Sequence, residues 1–118
     1  MKDKKSDNLK FGEFIRTTRL DLNIGLRDFA KQVGISATYV SKMEMGEYAP
    51  PKEENIKKMA KILKVDEDKL LSMADKLSSD IKDIINVKPD LYASFLRRVK
   101  PKDVERFMRE MDDKKKKS

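Results

Sequence analysis

The sequence predicts an all-α protein in which five short helices form one bundle and a short helical extension follows. Apolar residues recur three or four positions apart along most of the 118 residues, which is the spacing of a single helix face. Between Phe29 and Met43, two such faces flank a glycine and a helix-capping serine. No run of alternating apolar and polar residues is bounded by turn residues, so the sequence carries no strand signal.

The composition limits the chemistry that this chain could perform. At 118 residues, the chain suits one domain, or a small domain with an appendage. Its 38% hydrophobic residues can support a modest core, and its 42% charged residues imply a heavily solvated surface. No apolar run is long enough to span a membrane, and the first ten residues lack the apolar segment of a secretory signal, so we expect a cytoplasmic protein. Because the chain has no cysteine and no histidine, we expect no metal, no cofactor and no enzymatic activity.

The charge is compatible with a polyanionic partner. The net charge is +7, although part of this excess belongs to the terminal run from Lys114 to Lys117. The distribution is more informative, because the segment from Phe29 to Met43 contains Lys31 and Lys42 and no acidic residue. This segment would present an unopposed positive surface to phosphates.

The first helix is predicted from Leu9 to about Asp21, after a polar leader at residues 1–8 that we expect to be disordered. The segment from Asn23 to Gly25 ends this helix. Its apolar face is formed by Phe11, Phe14, Ile15 and Leu22.

The second and third helices are predicted from Leu26 to Val33 and from Ala37 to Met45. Gly34 tolerates the left-handed conformation that closes a helix, and Ser36 is a good N-cap for the next one. Ala30 is small enough for two helices joined by a short turn to approach closely. An ordinary pair of amphipathic helices is the alternative, but periodicity alone requires neither the small residue nor the capped turn. The pattern therefore predicts a helix-turn-helix.

The fourth and fifth helices complete the predicted bundle, which spans residues 9–76. Pro50 and Pro51 end the preceding loop, and Glu53 and Glu54 suit the first turn of the fourth helix. Asp66 is expected to cap the fifth. The buried residues expected in the two helices are Ile56, Met59, Ala60, Leu63, Leu70 and Leu71.

Three further amphipathic helices are predicted between residues 77 and 112, starting near Ser79, Pro89 and Pro101. Helices this short seldom persist in water unless their apolar face is buried, so we expect a dimerisation or partner-binding segment. A simple extension that seals the core of the monomer is the alternative. The expected interface residues are Leu91, Phe95, Leu96, Val99, Phe107 and Met111. The basic tail at residues 113–118 is expected to be disordered.

The segment from Phe11 to Asp75 resembles the XRE family, the Cro and phage-repressor type of helix-turn-helix proteins. The motifs that carry the resemblance are FGEFIRTTR, LRDFAKQVGIS, TYVSKMEMGE, PKEENIKKMAKIL and VDEDKLL, in that order. The resemblance implies a five-helix, lambda-repressor-like domain whose third helix enters the DNA major groove. It also implies a homodimer that reads an inverted repeat, and a structural ion pair between Arg19 and Glu44.

The outer face of the third helix is the candidate base-reading surface. If Val40 and Met43 face the core, helical geometry turns the opposite face outward, towards base edges. The candidate base-contacting residues on that face are Ala37, Thr38, Ser41 and Lys42. Since this set offers few multivalent hydrogen-bond donors, we expect partial reliance on DNA shape.

Contacts with backbone phosphates are expected around this face. The chain departs from the family pattern at Gly25 and Leu26, where relatives often carry a polar residue that touches phosphate. The candidate phosphate-contacting residues are Arg27, Ser36, Tyr39 and Lys52. Three of them have a plainer alternative, because Ser36 is an N-cap, Tyr39 could be half core and Lys52 could be a solvated charge.

The leading functional hypothesis is a sequence-specific regulator of transcription that binds double-stranded DNA as a homodimer and acts as a repressor. The second hypothesis is an antitoxin or adaptor-type protein-interaction module that binds a protein partner through the C-terminal helices. A coactivator that kept the fold but lost sequence reading is a third. The sequence specifies neither the operator nor the sign of regulation.

Overall fold

The computed structural model describes the backbone of residues 4–117 and the side chains of residues 5–115. Over this range the protein is helical and has no strand, as predicted. The chain divides into two units, the first ending at Ser78 and the second beginning at Ser79. The helices of the first unit are α1 (Lys4–Asp21), α2 (Leu26–Val33), α3 (Ala37–Glu44), α4 (Glu53–Leu63) and α5 (Glu67–Met73), and those of the second are α6 (Ser79–Val87), α7 (Pro89–Arg98) and α8 (Pro101–Lys117).

Helix α1 begins at Lys4 rather than at the predicted Leu9. Residues 4–8 are therefore helical, which corrects the prediction of a disordered leader there, while residues 1–3 lie outside the described residues. The segment contains neither glycine nor proline, and Asp7 lies in the first turn, where a negative charge interacts favourably with the helix dipole. Nothing in the local sequence therefore prevents the helix from extending towards the N-terminus.

One hydrophobic core holds the first unit together, and all five helices contribute to it. Most of the apolar residues spaced three or four apart lie on the inner faces of their helices, as their spacing predicts. Leu22 was predicted on the apolar face of the first helix, but α1 ends at Asp21 and Leu22 is 36% exposed. The largest fully buried side chains are Phe11, Ile15, Phe29, Val33, Val40, Met43, Ile56, Met59, Leu63, Leu70 and Leu71.

The turn between α2 and α3 has the predicted construction. Gly34 has a φ of 88°, in the left-handed region, and its N–H donates to the carbonyl of Ala30 at 2.9 Å. The N–H of Ile35 donates to the same carbonyl at 3.0 Å. The hydroxyl oxygen of Ser36 accepts a hydrogen bond from the N–H of Tyr39 at 3.0 Å and so caps α3. These bonds satisfy backbone groups that the ends of the two helices would otherwise leave unpaired.

Helices α1 and α3 approach each other closely at Gly12, a residue that the sequence pattern did not single out. A Cβ atom at this position would lie only 2.6 Å from the carbonyl oxygen of Glu44 and would also overlap the carbonyl oxygen of Met43. Any larger residue would therefore force the two helices apart, because the obstacle is backbone rather than a movable side chain.

Helices α4 and α5 begin where the sequence predicts. Glu53 and Glu54 occupy the first turn of α4, directly after the Pro50–Pro51 loop. At α5, the carboxylate of Asp66 accepts a hydrogen bond from the N–H of Lys69 at 3.2 Å, so Asp66 is the predicted N-cap.

The second unit consists of α6 to α8, and none of its described side chains is buried. Pro89 and Pro101 start α7 and α8 as predicted, since proline is favoured in the first helical turn. Helix α8 continues to Lys117, which corrects the prediction of a disordered tail at residues 113–117; Ser118 lies outside the described residues. No helix breaker follows Pro101, and the terminal lysines interact favourably with the C-terminal end of the helix dipole. None of the described helices has the length and apolarity required to cross a membrane.

Candidate nucleic-acid interface

Helix α3 has one buried face and one accessible face. Val40 and Met43 are fully buried in the core, as the sequence analysis assumed. The accessible face carries the four predicted base-contacting residues, namely the exposed Thr38 and the half-buried Ala37, Ser41 and Lys42. Helix α3 thus presents a continuous surface of small and polar side chains to a partner outside the core.

This surface forms a depression of about 290 Å³ between α2 and α3. All four predicted base-contacting residues line the depression, together with Leu26, Arg27 and Met45. The structure therefore brings the guanidinium-bearing residue Arg27, a predicted phosphate contact, to the edge of the predicted reading face. Leu26 lies there as well and contributes apolar surface.

A second depression, of about 530 Å³, adjoins the first and adds a residue to which the sequence analysis gave no binding role. Arg16 of α1 lines it together with Ser41 and Met45 of the α3 region. The Arg16 side chain is exposed and forms no hydrogen bond or ion pair with any residue that the structure describes. Glu13 also lines this depression. Only the packing of α1 on α3 brings Arg16 here, so sequence spacing could not have identified it.

The ion pair between Arg19 and Glu44 is present and joins α1 to α3. The Nε of Arg19 donates to Oε2 of Glu44 at 2.9 Å, and Nη2 donates to Oε1 at 2.9 Å. Nη1 donates to the carbonyl of Ile24 at 2.8 Å. The two residues are only 5% and 6% exposed, and the bidentate geometry satisfies the charges that burial takes out of water. The pair therefore orients α3 rather than reading bases.

Tyr39 is half-buried, and its hydroxyl donates to the carbonyl of Ala49 at 2.6 Å. Burial raises the pKa of Tyr39 above its ordinary value of 10.0, because it disfavours the charged phenolate. The hydroxyl proton is used inside the loop that follows α3. Tyr39 consequently has the structural role named as its alternative, and a phosphate would have to displace Ala49 to receive that proton.

A cluster of three side chains, from Tyr39, Lys42 and Tyr48, joins α3 to the following loop. The Nζ of Lys42 lies 5.4 Å from the centroid of the Tyr48 ring, which is a cation–π geometry. The Tyr39 and Tyr48 rings lie 5.6 Å apart, centroid to centroid, at 37°. The sequence analysis did not identify Tyr48, since only the fold of the loop brings it back to α3.

Lys52 lies at the N-cap position of α4 and is highly exposed. Its ammonium group lies 2.7 Å from Oε1 of Glu54. The hydrogen bond and the charge of Lys52 hold the pKa of the Glu54 carboxyl below its ordinary range. An exposed pair of this kind is weak, so Glu54 competes only modestly with a phosphate for Lys52.

The predicted interface residues of the second unit are accessible. Phe95 is 48% exposed, and its ring lies 6.3 Å from that of Phe107, centroid to centroid. The two rings line a depression of about 260 Å³ with Val99, Arg98 and Arg106. The remaining predicted residues Leu91, Leu96 and Met111 are also exposed. This unit thus has an apolar surface that its own helices do not cover.

Comparison with known proteins agrees with this geometry. Residues 15–70 match a family model described as helix-turn-helix (HTH_3). The chain is 36% identical, over 64 residues, to the uncharacterized HTH-type transcriptional regulator RghRB of Bacillus subtilis (strain 168). That alignment covers 54% of this chain and 46% of the relative, so the chain spans about half the length of that protein.

Two solved structures are similar in fold. The crystal structure of the clp gene regulator ClgR from Corynebacterium glutamicum superposes with a TM-score of 0.51 at 20% identity, covering 75% of this chain and 89% of that chain. A complex of the SinR and SinI proteins gives a TM-score of 0.49 at 20% identity, covering 90% of this chain and 98% of that chain. At 20% identity, the similarity to the ClgR structure supports the fold alone.

Proposed function

We propose that this chain is a regulator of transcription that binds double-stranded DNA sequence-specifically through α3, because residues 15–70 match the helix-turn-helix (HTH_3) family model. The observation that carries the proposal is the accessible face of α3. Its four outward residues share one depression with Arg27, and no acidic residue occurs between Phe29 and Met43. A helix of this kind fits the B-DNA major groove, whose base edges it reads with its N-terminal residues.

Within this proposal the residues divide into two groups. Lys42 donates to guanine O6 or N7, and the small side chains of Ala37 and Thr38 lie against thymine methyl groups. Replacing Lys42 by alanine should weaken specific binding by about 1–3 kcal/mol and relax the preference at one base position. The phosphate contacts come from Arg27, Ser36 and Lys52.

Arg16 joins this phosphate-contacting group, because its exposed guanidinium shares a depression with Ser41. Tyr39 remains in the group only if its hydroxyl leaves Ala49 on binding.

The finer proposal is a homodimer that reads an inverted repeat and represses transcription. The exposed apolar residues of α7 and α8 supply a surface for a second copy, and dimer binding places half-sites about one helical turn apart, roughly 34 Å centre to centre. The resemblance to Cro and phage repressors favours repression. A cytoplasmic location is part of this proposal.

Selection of bound duplexes from a random pool, at near-physiological salt, tests the proposal. A palindromic consensus is the expected result, and it would support sequence reading and two-fold symmetry together. A consensus with a single half-site would contradict the dimer. Recovery of no consensus, with binding that salt abolishes equally for all sequences, would contradict sequence-specific regulation.

A protein-interaction module is the second candidate function, and the Phe95–Phe107 depression favours it. Arg98 and Arg106 flank its apolar rings, and Asp103 lines it as well, 4.0 Å from Arg106, so the surface combines apolar rings with charges of both signs. A homodimer that survives dilution would favour the DNA-binding regulator. Copurification with the product of an adjacent reading frame, with Phe95 and Phe107 protected in the complex, would favour the antitoxin or adaptor.

A further inference from the structure

We propose that Tyr48 is a positioning residue that holds the Lys42 ammonium group ready for base contact. The inference rests on the proposed function, because it assumes that Lys42 faces DNA. It assigns specificity partly to a residue that lies outside α3 and touches no base.

The loop after α3 folds back onto Lys42 through backbone contacts. Gly46, with a φ of 79°, reverses the chain directly after the helix. The N–H groups of Glu47 and Tyr48 then point to the carbonyl of Lys42, at 2.9 and 3.4 Å. Lys42, whose carbonyl accepts these hydrogen bonds, also extends its side chain over the Tyr48 ring. Its Nζ lies 5.4 Å from the ring centroid.

Tyr39 supports the Tyr48 ring from a second direction. The two rings lie 5.6 Å apart, centroid to centroid, in a tilted arrangement. The Tyr39 hydroxyl donates to the carbonyl of Ala49 at 2.6 Å, which ties the residue after Tyr48 to α3. The loop on both sides of the Tyr48 ring is thus tied to α3, through the N–H of Glu47 before it and the carbonyl of Ala49 after it.

The choice of an aromatic partner preserves the charge that DNA binding needs. Lys42 forms no ion pair with any residue in the described part of the chain, and the nearby Glu44 carboxylate is occupied by Arg19. A carboxylate in place of the ring would order Lys42 equally well but would neutralise it. The face of a tyrosine ring attracts the ammonium group without cancelling its charge, and it leaves N–H donors free for guanine.

Ordering a lysine before binding lowers the conformational entropy that is lost when it contacts a base. Replacing Tyr48 by leucine should therefore weaken cognate binding about two- to fivefold, the range of an exposed cation–π contact. Binding to random duplexes should change much less, because phosphate contacts do not depend on where this ammonium group points. Tyr48→Phe keeps the ring face and should bind cognate DNA as the original chain does.

Two measurements test the inference, and the first needs no DNA. In the free protein, NMR should show the ε-methylene protons of Lys42 shifted upfield by the Tyr48 ring; the shift should persist in Tyr48→Phe and vanish in Tyr48→Leu. In a double-mutant cycle, Tyr48→Leu should have no further effect on cognate affinity once Lys42→Ala is present. Unfolding curves of each variant separate positioning from loss of stability.

Opposite results would overturn the inference. Absence of the upfield shift in the original chain would show that the ring does not hold Lys42. Cognate affinity that is unchanged or tighter in Tyr48→Leu, or that falls equally with and without Lys42, would show that the ring does not position it for DNA. An upfield shift combined with no sequence preference in the original chain would instead contradict the proposed function.

Discussion

Two residue-scale contacts set the position of α3 relative to α1. At Gly12 the absence of a side chain lets the helix backbones approach, and at Arg19 a bidentate pair with Glu44 joins them. Because the pair is buried, loss of one partner would leave the other as an unpaired buried charge. The intact pair fixes the orientation of α3 more than it adds stability. The orientation of the proposed base-reading face therefore depends on residues that need not touch DNA.

Replacing Gly12 by alanine should destabilise the protein by about 3 kcal/mol, because the new methyl group meets backbone carbonyl oxygens of Met43 and Glu44. The matched control is Gly25→Ala, where a Cβ would meet nothing within 4 Å. The control should stay within about 0.5 kcal/mol of the original chain. Urea unfolding followed by circular dichroism measures both, and equal stabilities for the two variants would contradict the close approach at Gly12.

The raised pKa of Tyr39 predicts a loss of stability in alkali. The unfolded chain ionises near the ordinary value of 10.0, below the folded value, so the stabilisation is fully present below pH 10 and is lost as the pH rises through the folded pKa. Ionisation also removes the proton that the hydroxyl donates to Ala49. The difference in unfolding free energy between the original chain and Tyr39→Phe should shrink above pH 10. A difference that grew with pH would contradict the assigned direction.

At the scale of elements, the ends of α3 determine which of its residues can meet a base. Gly34 closes α2 in the left-handed conformation, Ser36 caps α3, and Gly46 reverses the chain after it. Because the cap defines the first turn, Ala37 and Thr38 lie at the N-terminal end that reaches deepest into a groove. Capping and the proposed DNA reading therefore depend on the same short segment.

Ser36 separates these two roles experimentally. Ser36→Ala removes the acceptor for the Tyr39 N–H and should cost about 1 kcal/mol of stability. Ser36→Asp keeps a capping oxygen and should stay within about 0.5 kcal/mol of the original chain. Its negative charge faces the proposed phosphate surface, so cognate affinity should fall about tenfold. Thermal unfolding and fluorescence anisotropy measure the two effects, and an aspartate variant that binds DNA normally would contradict the phosphate role of this helix end.

At the scale of the whole molecule, the two units differ in how they are stabilised. The first unit encloses a core to which all five of its helices contribute. The second has no buried side chain among those described, although it carries exposed Leu91, Phe95 and Met111. Short helices with uncovered apolar faces are marginal in water. We therefore propose that a second copy of the chain covers the apolar surface of the second unit.

Replacing Phe107 by serine should shift the proposed homodimer towards monomer, because it removes one of two rings that line the apolar depression. Leu20→Ser is the control, since Leu20 is a 51% exposed apolar residue of the first unit with no proposed role. Sedimentation velocity across micromolar concentrations measures the association. Equal association of both variants and the original chain would contradict dimerisation through this surface.

Much of this architecture could be predicted from the sequence because it depends on local rules. Helix periodicity, the left-handed glycine at Gly34, the caps at Ser36 and Asp66 and the prolines that start α7 and α8 each involve residues a few positions apart. The same local rules did not predict that α1 begins at Lys4 or that α8 continues to Lys117, because no residue near either position signals the end of a helix. The Arg19–Glu44 pair came from the family resemblance rather than from spacing.

Helix periodicity and capping act within one or two helical turns, so the helical class, the turn between α2 and α3 and the accessible face of α3 could all be predicted from the order of the residues. The fold was needed to show that Gly12 admits the backbone of α3, that Arg16 borders the proposed base-reading face and that the Tyr48 ring lies beneath Lys42. These contacts join residues from different elements, and their geometry depends on how the helices and the loop pack. No spacing along the chain encodes that packing.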